Sequence, residues 1–142
     1  ILTAWATDAR RSLRDVAAEV GVSATTVHDR ARALQRRGLV RGAYLDLDLA
    51  QLGRGVQALI AVRIRPPSRS NIEAFRDWVG GLPETVGVFV ISGRSDFILH
   101  VAVAGNEALY SFVIDRLTSR AEIADVETSI VYEHMRTPSL LG

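Results

Sequence analysis

Residues 13–30 read LRDVAAEVGVSATTVHDR, and this stretch predicts two short helices joined by a tight turn. Ser12 can cap the first helix, and Gly21 permits the left-handed backbone that the turn needs. Ser23 can cap the second helix, which stops at Gly38. Two helices held across a short turn are typical of the helix-turn-helix, whose second helix enters the major groove of DNA.

Helical spacing divides the second of these helices into an inner and an outer face. Apolar side chains recur on the inner face, whereas the outer face carries hydroxyl, imidazole and guanidinium groups that suit phosphate or base contacts. The residues predicted to contact DNA are Ser23, Thr25, Thr26, His28, Arg32 and Arg36. An ordinary helical hairpin with a solvated, charged face would show the same pattern, so this stretch alone leaves both interpretations open.

The charge of the chain is concentrated at one end. The net charge of the 142 residues is only +1, and all 17 basic residues are arginine. Residues 1–41 hold eight arginines and four acids, a net charge of +4, while residues 42–142 hold nine arginines and twelve acids, a net charge of −3. A basic head on a mildly acidic body predicts that any nucleic-acid contact is confined to the N-terminal end.

The second half alternates strand and helix patterns in the order β-α-β-β-α-β, which is the ferredoxin-like arrangement. A capping box of Ser70 and Glu73 is expected to start the first of its helices, and Gly105-Asn106 the second. The predicted strands are Val56–Arg65, Val86–Ser92, Phe97–Ala104 and Val126–His134.

The fold class expected for the whole chain is therefore α+β, with an N-terminal helix-turn-helix and a C-terminal ferredoxin-like domain. The helix-turn-helix is assigned to residues 1–41, a linker to 42–55, the ferredoxin-like domain to 56–134 and a tail to 135–142. Within the connection, Leu39–Leu47 has strand-like character.

One face of the predicted sheet has no helices to cover it. Apolar residues nevertheless occupy its alternate positions, namely Leu59, Ala61, Phe89, Ile91, Ile98 and Ala102. A second copy of the same face would bury them, which predicts a symmetric homodimer. A one-sided sheet with tolerated surface apolar residues is the alternative.

Several functional classes find no support in the sequence. There is no cysteine, and the three histidines are not spaced as metal ligands, so no metal or cofactor is expected. No nucleophile–base pair or carboxylate dyad points to an enzyme. A sheet that binds RNA needs aromatic residues on its central strands, and only Phe97 is available. No apolar run is long enough to span a membrane and no signal pattern is visible, which favours the cytoplasm.

The segment Gly93-Arg-Ser-Asp96 combines backbone N–H groups, a guanidinium, a hydroxyl and a carboxylate within four residues. Such a set could bind the two charged ends of a small zwitterion. It could equally be a simple hairpin turn, because Gly, Ser and Asp all favour turns.

Taken together, several short motifs resemble those of the Lrp/AsnC (leucine-responsive, feast/famine) transcriptional regulators. The matching stretches are Asp8-Ala-Arg10, Leu13-x-x-Val-Ala-x-x-Val-Gly-Val-Ser23, Val27-x-x-Arg30-x-x-x-Leu34-x-x-x-Gly38-Leu-Val40, Leu52-Gly53, Gly93-x-x-Asp96 and Thr128-Ser-Ile-Val131. At the turn the family often has an acid and an aromatic residue, where this chain has Arg94 and Ser95.

The resemblance implies a regulator that binds double-stranded DNA through its third helix. It also implies dimers formed through the C-terminal sheets, which commonly assemble further into octamers. The C-terminal domain resembles the ACT-like domains that bind amino-acid effectors, and the implied effector-binding residues are Gly93, Arg94, Ser95, Asp96, Asn106 and Ile130. A stand-alone metabolite sensor with little DNA binding is the alternative function.

Overall fold

The computed structural model describes residues 1–137, which divide into two compact units. The first unit spans Ile1–Asp46, with residues 135–137 grouped with it, and the second spans Leu47–His134. The boundary falls inside the predicted linker 42–55. The linker residues from Leu47 to Gly55 therefore belong to the second unit, where the Asp48 carboxylate accepts hydrogen bonds from the backbone N–H groups of Ala50 and Gln51.

Three short helices make up the first unit. They are α1 (Leu2–Thr7), α2 (Leu13–Val20) and α3 (Ala24–Arg36). Their buried core is built from small and medium side chains, Ala4, Val16, Ala17 and Val27, against which Ile1, Trp5, Leu13, Val22 and Ala24 pack.

The predicted caps and turn of the helix pair are confirmed. The Ser12 hydroxyl accepts a hydrogen bond from the Asp15 N–H at 3.1 Å and donates one to the Asp15 carboxylate at 2.6 Å. Gly21 ends α2 with φ at 71°, the left-handed conformation that favours glycine. The chain then enters α3 directly at Ser23, so the turn holds the two helices at a fixed distance.

The second unit has four strands and two helical segments, in the predicted order. The elements are β1 (Val56–Ile64), α4 (Arg69–Gly80), β2 (Thr85–Val90), β3 (Phe97–Val103), α5 (Asn106–Ser111), which continues as a π-helical segment over Phe112–Leu117, and β4 (Ile123–Ile130). The sheet order is β2-β3-β1-β4 and all neighbouring strands are antiparallel. This is the predicted ferredoxin-like topology.

The core of this unit lies between the sheet and its helices. Alternate residues of the two central strands point into it, as period-two spacing requires. The buried side chains are Ala58, Ile60, Val62 and Ile64 from β1, Phe97, Leu99, Val101 and Val103 from β3, and Phe75, Val79, Leu109, Phe112 and Leu117 from the helices.

Two predicted boundaries in the second unit are wrong. Helix α4 is capped by Ser68, whose hydroxyl accepts from the Asn71 N–H at 3.2 Å, and not by a box of Ser70 and Glu73. The strand expected at 126–134 begins earlier, at Ile123, and ends at Ile130. Serine stands at both 68 and 70, and either hydroxyl could cap a helix that begins here, so the sequence did not distinguish the two possible caps.

The strand expected over Leu39–Leu47 does not form within one chain. A strand is stabilised by hydrogen bonds to a neighbouring strand, and this segment has no such ladder in the described residues. Its alternation of residue types was therefore insufficient to predict a strand.

The face of the sheet opposite the helices is partly apolar and open, as predicted. Leu59 and Phe89 are 41% and 60% exposed, and Ile98 lies beside Phe89 in the β2–β3 register. Ala102 is an exception, since it is fully buried in a single chain. Its N–H bonds the Glu84 carbonyl at 2.9 Å, and its small side chain lines a cavity of about 320 Å³ with neighbouring residues, so it adds nothing to the open face.

Candidate DNA-binding and effector-binding sites

The start of α3 is fixed by two hydroxyl groups that the sequence assigned to DNA contacts. Ser23 Oγ accepts a hydrogen bond from the Thr26 N–H at 3.1 Å, and the two side-chain oxygens lie 2.8 Å apart. One hydroxyl proton is used in the bond between them, so only one remains for an outside acceptor. The pair therefore anchors the helix first and leaves a single donor for a phosphate.

The rest of the outer face of α3 is accessible along the helix. Thr25, His28, Arg32 and Arg36 are exposed, while Val27 and Ala31 on the opposite face are buried. At 1.5 Å per residue, the face from Thr25 to Arg36 extends over about 16 Å. The structure thus brings the predicted DNA-binding residues onto one continuous surface.

Acidic groups of the first unit are mostly engaged away from α3. Asp8 pairs with Arg10, and the Arg10 backbone N–H chiefly lowers the pKa of that carboxyl. Glu19 of α2 pairs with Arg11, and Asp15 is held by the Ser12 cap. The arginines of this unit that have no carboxylate within 4.0 Å among residues 1–137 are Arg14, Arg30, Arg32, Arg36, Arg37 and Arg41.

From the sequence, these arginines were known only as part of the net charge of +4 of residues 1–41. The structure adds that four of them, Arg30, Arg32, Arg36 and Arg37, lie on α3 or at its C-cap and are exposed. Guanidinium groups are permanently charged and present several donors to phosphate oxygens. The helix therefore offers an anion-binding surface on which these four arginines outnumber the single acid of α3, Asp29.

The Gly93–Asp96 segment forms the turn between β2 and β3. Gly93 has φ at 119°, which L side chains rarely adopt. The Ile91 N–H bonds the Asp96 carbonyl at 2.9 Å, and the Asp96 N–H bonds the Val62 carbonyl at 2.9 Å. The turn is therefore tied both to its own hairpin and to the end of β1.

The Asp96 side chain continues that connection. Its Oδ2 accepts a hydrogen bond from the Ile64 N–H at 2.7 Å and lies 3.3 Å from Nη1 of Arg65, and the side chain is 23% exposed. Because the carboxylate satisfies a buried backbone donor and an arginine, it has a structural role in this sheet. Arg94, in contrast, is exposed and Ser95 is half-buried.

The other two residues implied for the effector site lie elsewhere in the chain. Asn106 follows β3 at its far end, and Ile130 pairs with Ala58 near the start of β1, whereas the turn adjoins the end of β1. Seven residues of β3 separate Asn106 from the turn by about 20 Å. A single chain does not bring Asn106 and Ile130 close to the Gly93–Asp96 turn. A site that contains the turn together with either of these residues therefore needs a second copy of the chain.

An arginine–tryptophan cluster beside the turn was missed by the sequence analysis. The Arg120 guanidinium lies 4.2 Å from the centre of the Trp78 ring, and its Nε is 2.6 Å from Glu122 Oε1. Burial raises the pKa of Glu122, but hydrogen bonds from its own backbone and from Arg120 outweigh this and lower it. The Glu122 carbonyl accepts the Arg65 N–H at 2.8 Å, which joins β4 to the residue that pairs with Asp96.

A polar group also lies on the open sheet face. His100 Nε2 is 2.8 Å from the Gln57 side-chain oxygen, and its ring is edge-on to His134 at 5.7 Å. Burial, and secondarily the neighbouring His134, lower the pKa of His100. The sequence showed His100 in an apolar strand but gave no sign of either partner.

Comparison with known proteins agrees with both units. A model of the AsnC-type helix-turn-helix domain matches residues 1–35, and a model of the Lrp/AsnC ligand binding domain matches residues 57–140. The chain belongs to the Lrp/AsnC family. As a member of this family it is a helix-turn-helix transcriptional regulator.

Individual relatives cover nearly the whole chain. It is 38% identical over 141 residues to the HTH-type transcriptional regulator AldR of Mycolicibacterium smegmatis. This alignment covers 99% of this chain and 82% of that protein. The crystal structure of MtbAldR matches with a TM-score of 0.76 at 33% identity, covering 96% and 92% of the two chains. A Neisseria meningitidis transcriptional regulator in complex with L-Met matches with a TM-score of 0.87 at 26% identity, covering 96% and 88%.

These Lrp/AsnC relatives confirm the fold and the general function that the residues predicted. Among the described residues, no helix combines the length and apolar character needed to cross a membrane.

Proposed function

We propose that this chain binds specific double-stranded DNA sequences through α3 and that an amino acid or related metabolite, bound by the C-terminal unit, modulates this binding. The exposed guanidinium groups of α3, which have no carboxylate partner among residues 1–137, support the first part of the proposal. They are presented on a helix that follows a short, capped turn, and this is how a helix-turn-helix offers its second helix to the major groove. The protein would act in the cytoplasm, without a cofactor and without catalysing a reaction.

The proposed DNA contacts differ along α3. Ser23 and Thr26 bring one free hydroxyl proton and the helix N-terminus to a phosphate. Thr25 lies in the same first turn, and His28 follows in the next turn. Arginine in the groove can bind the O6 and N7 atoms of guanine, so Arg32 and Arg36 are the candidates for reading bases.

The open face of the sheet supports the proposal of a homodimer. Leu59 and Phe89 are exposed there beside half-buried Ile98, and an identical face from a second copy would remove all three from water. Dimers would then place two α3 helices on one operator. Further assembly, up to an octamer, would bring the turn of one dimer close to residues of another and could unite Asn106 or Ile130 with a neighbouring Gly93–Asp96 turn.

The amino-acid effector is proposed from the ligand-binding domain and from the Neisseria meningitidis relative, which was solved with L-Met. The candidate residues remain Gly93, Arg94, Ser95 and Asp96. In this chain the Asp96 carboxylate is already bonded, so Arg94, Ser95 and the backbone N–H groups of the turn are the groups left to contact a ligand.

A binding assay on the DNA upstream of the gene for this protein tests the proposal. Fluorescence anisotropy at several salt concentrations should show affinity that falls as salt rises, because bound arginines release counterions from the phosphates. Arg32→Ala should weaken binding to the specific site by about 1–3 kcal/mol if it reads a base, and a phosphate contact would instead weaken all sequences alike and reduce the salt slope by about one.

Arg69→Ala is a matched control, since Arg69 lies on α4 in the other unit and pairs with Glu73 at 3.5 Å. Its DNA affinity should equal that of the unmodified protein. Absence of salt-dependent binding to any fragment of that DNA would reject the proposal and favour a stand-alone metabolite sensor.

A further inference from the structure

The end of the sheet that carries the Gly93–Asp96 turn has more positive than negative charge. Arginine residues at this end are Arg63, Arg65, Arg94 and Arg120, and the acids are Asp96, Glu122 and Asp125. The pairing of these groups determines which charges are available to a ligand.

Two of the three carboxylates are committed to other groups. Asp96 accepts the Ile64 N–H at 2.7 Å and lies 3.3 Å from the Arg65 guanidinium. Glu122 lies 2.6 Å from Arg120, which in turn covers Trp78. Removing either carboxylate from its partner would leave a buried donor or a cation uncompensated, so neither is free to bind the ammonium group of a ligand.

The remaining acid has a cation directly opposite. Asp125 of β4 faces Arg63 of β1 in the strand register, and both are exposed. Opposite charges at such cross-strand positions compensate one another. Neither Arg63 nor Arg94 has a carboxylate within 4.0 Å in residues 1–137, but Arg63 has Asp125 on the neighbouring strand and Arg94 is the one that lies in the turn.

Arg94 is also placed to meet a ligand. It is exposed at the tip of the turn, next to the half-buried Ser95 hydroxyl and one residue after Gly93, whose φ is 119°. A guanidinium binds a carboxylate through two parallel hydrogen bonds, and it repels an ammonium group. The turn thus selects for negative charge, and its own carboxylate, that of Asp96, is already bonded to Ile64 and Arg65.

On this basis, and resting on the effector site proposed above, we propose that the effector of this protein is a dicarboxylate, either an acidic amino acid or the corresponding 2-oxo acid, whose second carboxylate binds Arg94. Ser95 and the backbone N–H groups of the turn bind the same anionic group. A neutral amino acid of the same shape lacks this contact and binds more weakly.

Isosteric ligand pairs test the charge requirement. Calorimetric titration of the full chain with L-glutamate, L-glutamine, L-aspartate, L-asparagine and 2-oxoglutarate compares each acid with its amide. We expect at least one acid to bind with a dissociation constant ten or more times lower than that of its amide. Comparing L-glutamate with 2-oxoglutarate then distinguishes an acidic amino acid from an oxo acid.

Three variants test whether Arg94 causes the preference for an acid over its amide. Arg94→Ala should bring acid and amide to within twofold of each other, and Arg94→Lys should keep part of the preference, because lysine retains the charge without the paired hydrogen bonds. Arg69→Ala, which removes a similarly exposed arginine from α4, should keep the full preference. Circular dichroism confirms that each variant is folded.

Several results would overturn the inference. An amide that binds as tightly as its acid, a preference that survives Arg94→Ala, or no binding of any dicarboxylate would each do so. A change in oligomeric state of ligand-free Arg94→Ala would show that the guanidinium contacts another copy instead. Each of these results would overturn the dicarboxylate inference while the protein still binds DNA. A protein that binds neither DNA nor any amino acid would contradict the proposed function itself.

Discussion

Replacing Asp96 by alanine removes the acceptor of a hydrogen bond that joins the β2–β3 turn to β1. The Ile64 N–H, which donates to Asp96 Oδ2 at 2.7 Å, belongs to a fully buried residue and would be left without a partner. An unsatisfied buried donor costs about 1–3 kcal/mol. The half-exposed Arg65 pair adds at most about 1 kcal/mol, because solvent screens it. We expect Asp96→Ala to lower the free energy of unfolding by about 2–3 kcal/mol.

Asp96→Asn is the informative companion, since its amide oxygen can still accept the Ile64 N–H. Only the charge is lost, and a neutral hydrogen bond is worth about 1 kcal/mol less than a charge-assisted one. The loss should therefore be about 1 kcal/mol. Urea unfolding followed by Trp78 fluorescence, in a Trp5→Phe background, reports on the second unit alone because Trp5 lies in the first.

Two outcomes would refute the hydrogen-bond explanation for the role of Asp96. The first is a loss below about 0.5 kcal/mol for Asp96→Ala, which is within the range of an ordinary surface substitution. The second is an equal loss for Ala and Asn, which would show that the charge and not the hydrogen-bond acceptor matters. The first outcome would make the Asp96 carboxylate available again as a partner for a ligand's ammonium group.

Three further substitutions test other parts of the structure. Ser23→Ala removes the cap of α3 and should cost about 1 kcal/mol in the first unit, measured by Trp5 fluorescence in a Trp78→Phe background; an unchanged midpoint would contradict the cap. Leu59→Glu should shift the protein from dimer to monomer in sedimentation experiments, whereas Tyr110→Glu, exposed on α5, should not. The lowered pKa of His100 means that unfolding takes up a proton near pH 6, so stability falls as the pH drops from 7.5 to 5.5. His100→Gln should reduce this dependence, and an unaltered slope would exclude His100 as its source.

The sequence was sufficient wherever a local rule determines structure. Gly21 and the Ser12 and Ser23 caps predicted the helix pair, because each acts within four residues of chain. Alternating apolar residues in β1 and β3 predicted the buried face of the sheet for the same reason. Sheet order followed from the sequence of elements, since few topologies connect them without crossing.

Long-range partners were beyond the reach of the sequence. Nothing near Asp96 indicates that its carboxylate meets Ile64, thirty-two positions earlier, or that Arg120 covers Trp78. The turn was therefore interpreted either as a set of free polar groups or as a simple hairpin turn, and the structure shows that one of those groups is already bonded. Asn106 and Ile130 were assigned to the same site by resemblance, but a single chain separates them from it.

The small core of the first unit has a consequence for how often it opens. Its buried cluster consists of two alanines and two valines, namely Ala4, Val16, Ala17 and Val27. The second unit has a larger buried cluster that includes phenylalanine, leucine and isoleucine side chains. Local opening free energy follows the apolar contacts that opening breaks. Amide hydrogens in α2 and α3 should accordingly exchange with solvent deuterium well before those in β1 and β3, and bound DNA should slow that exchange.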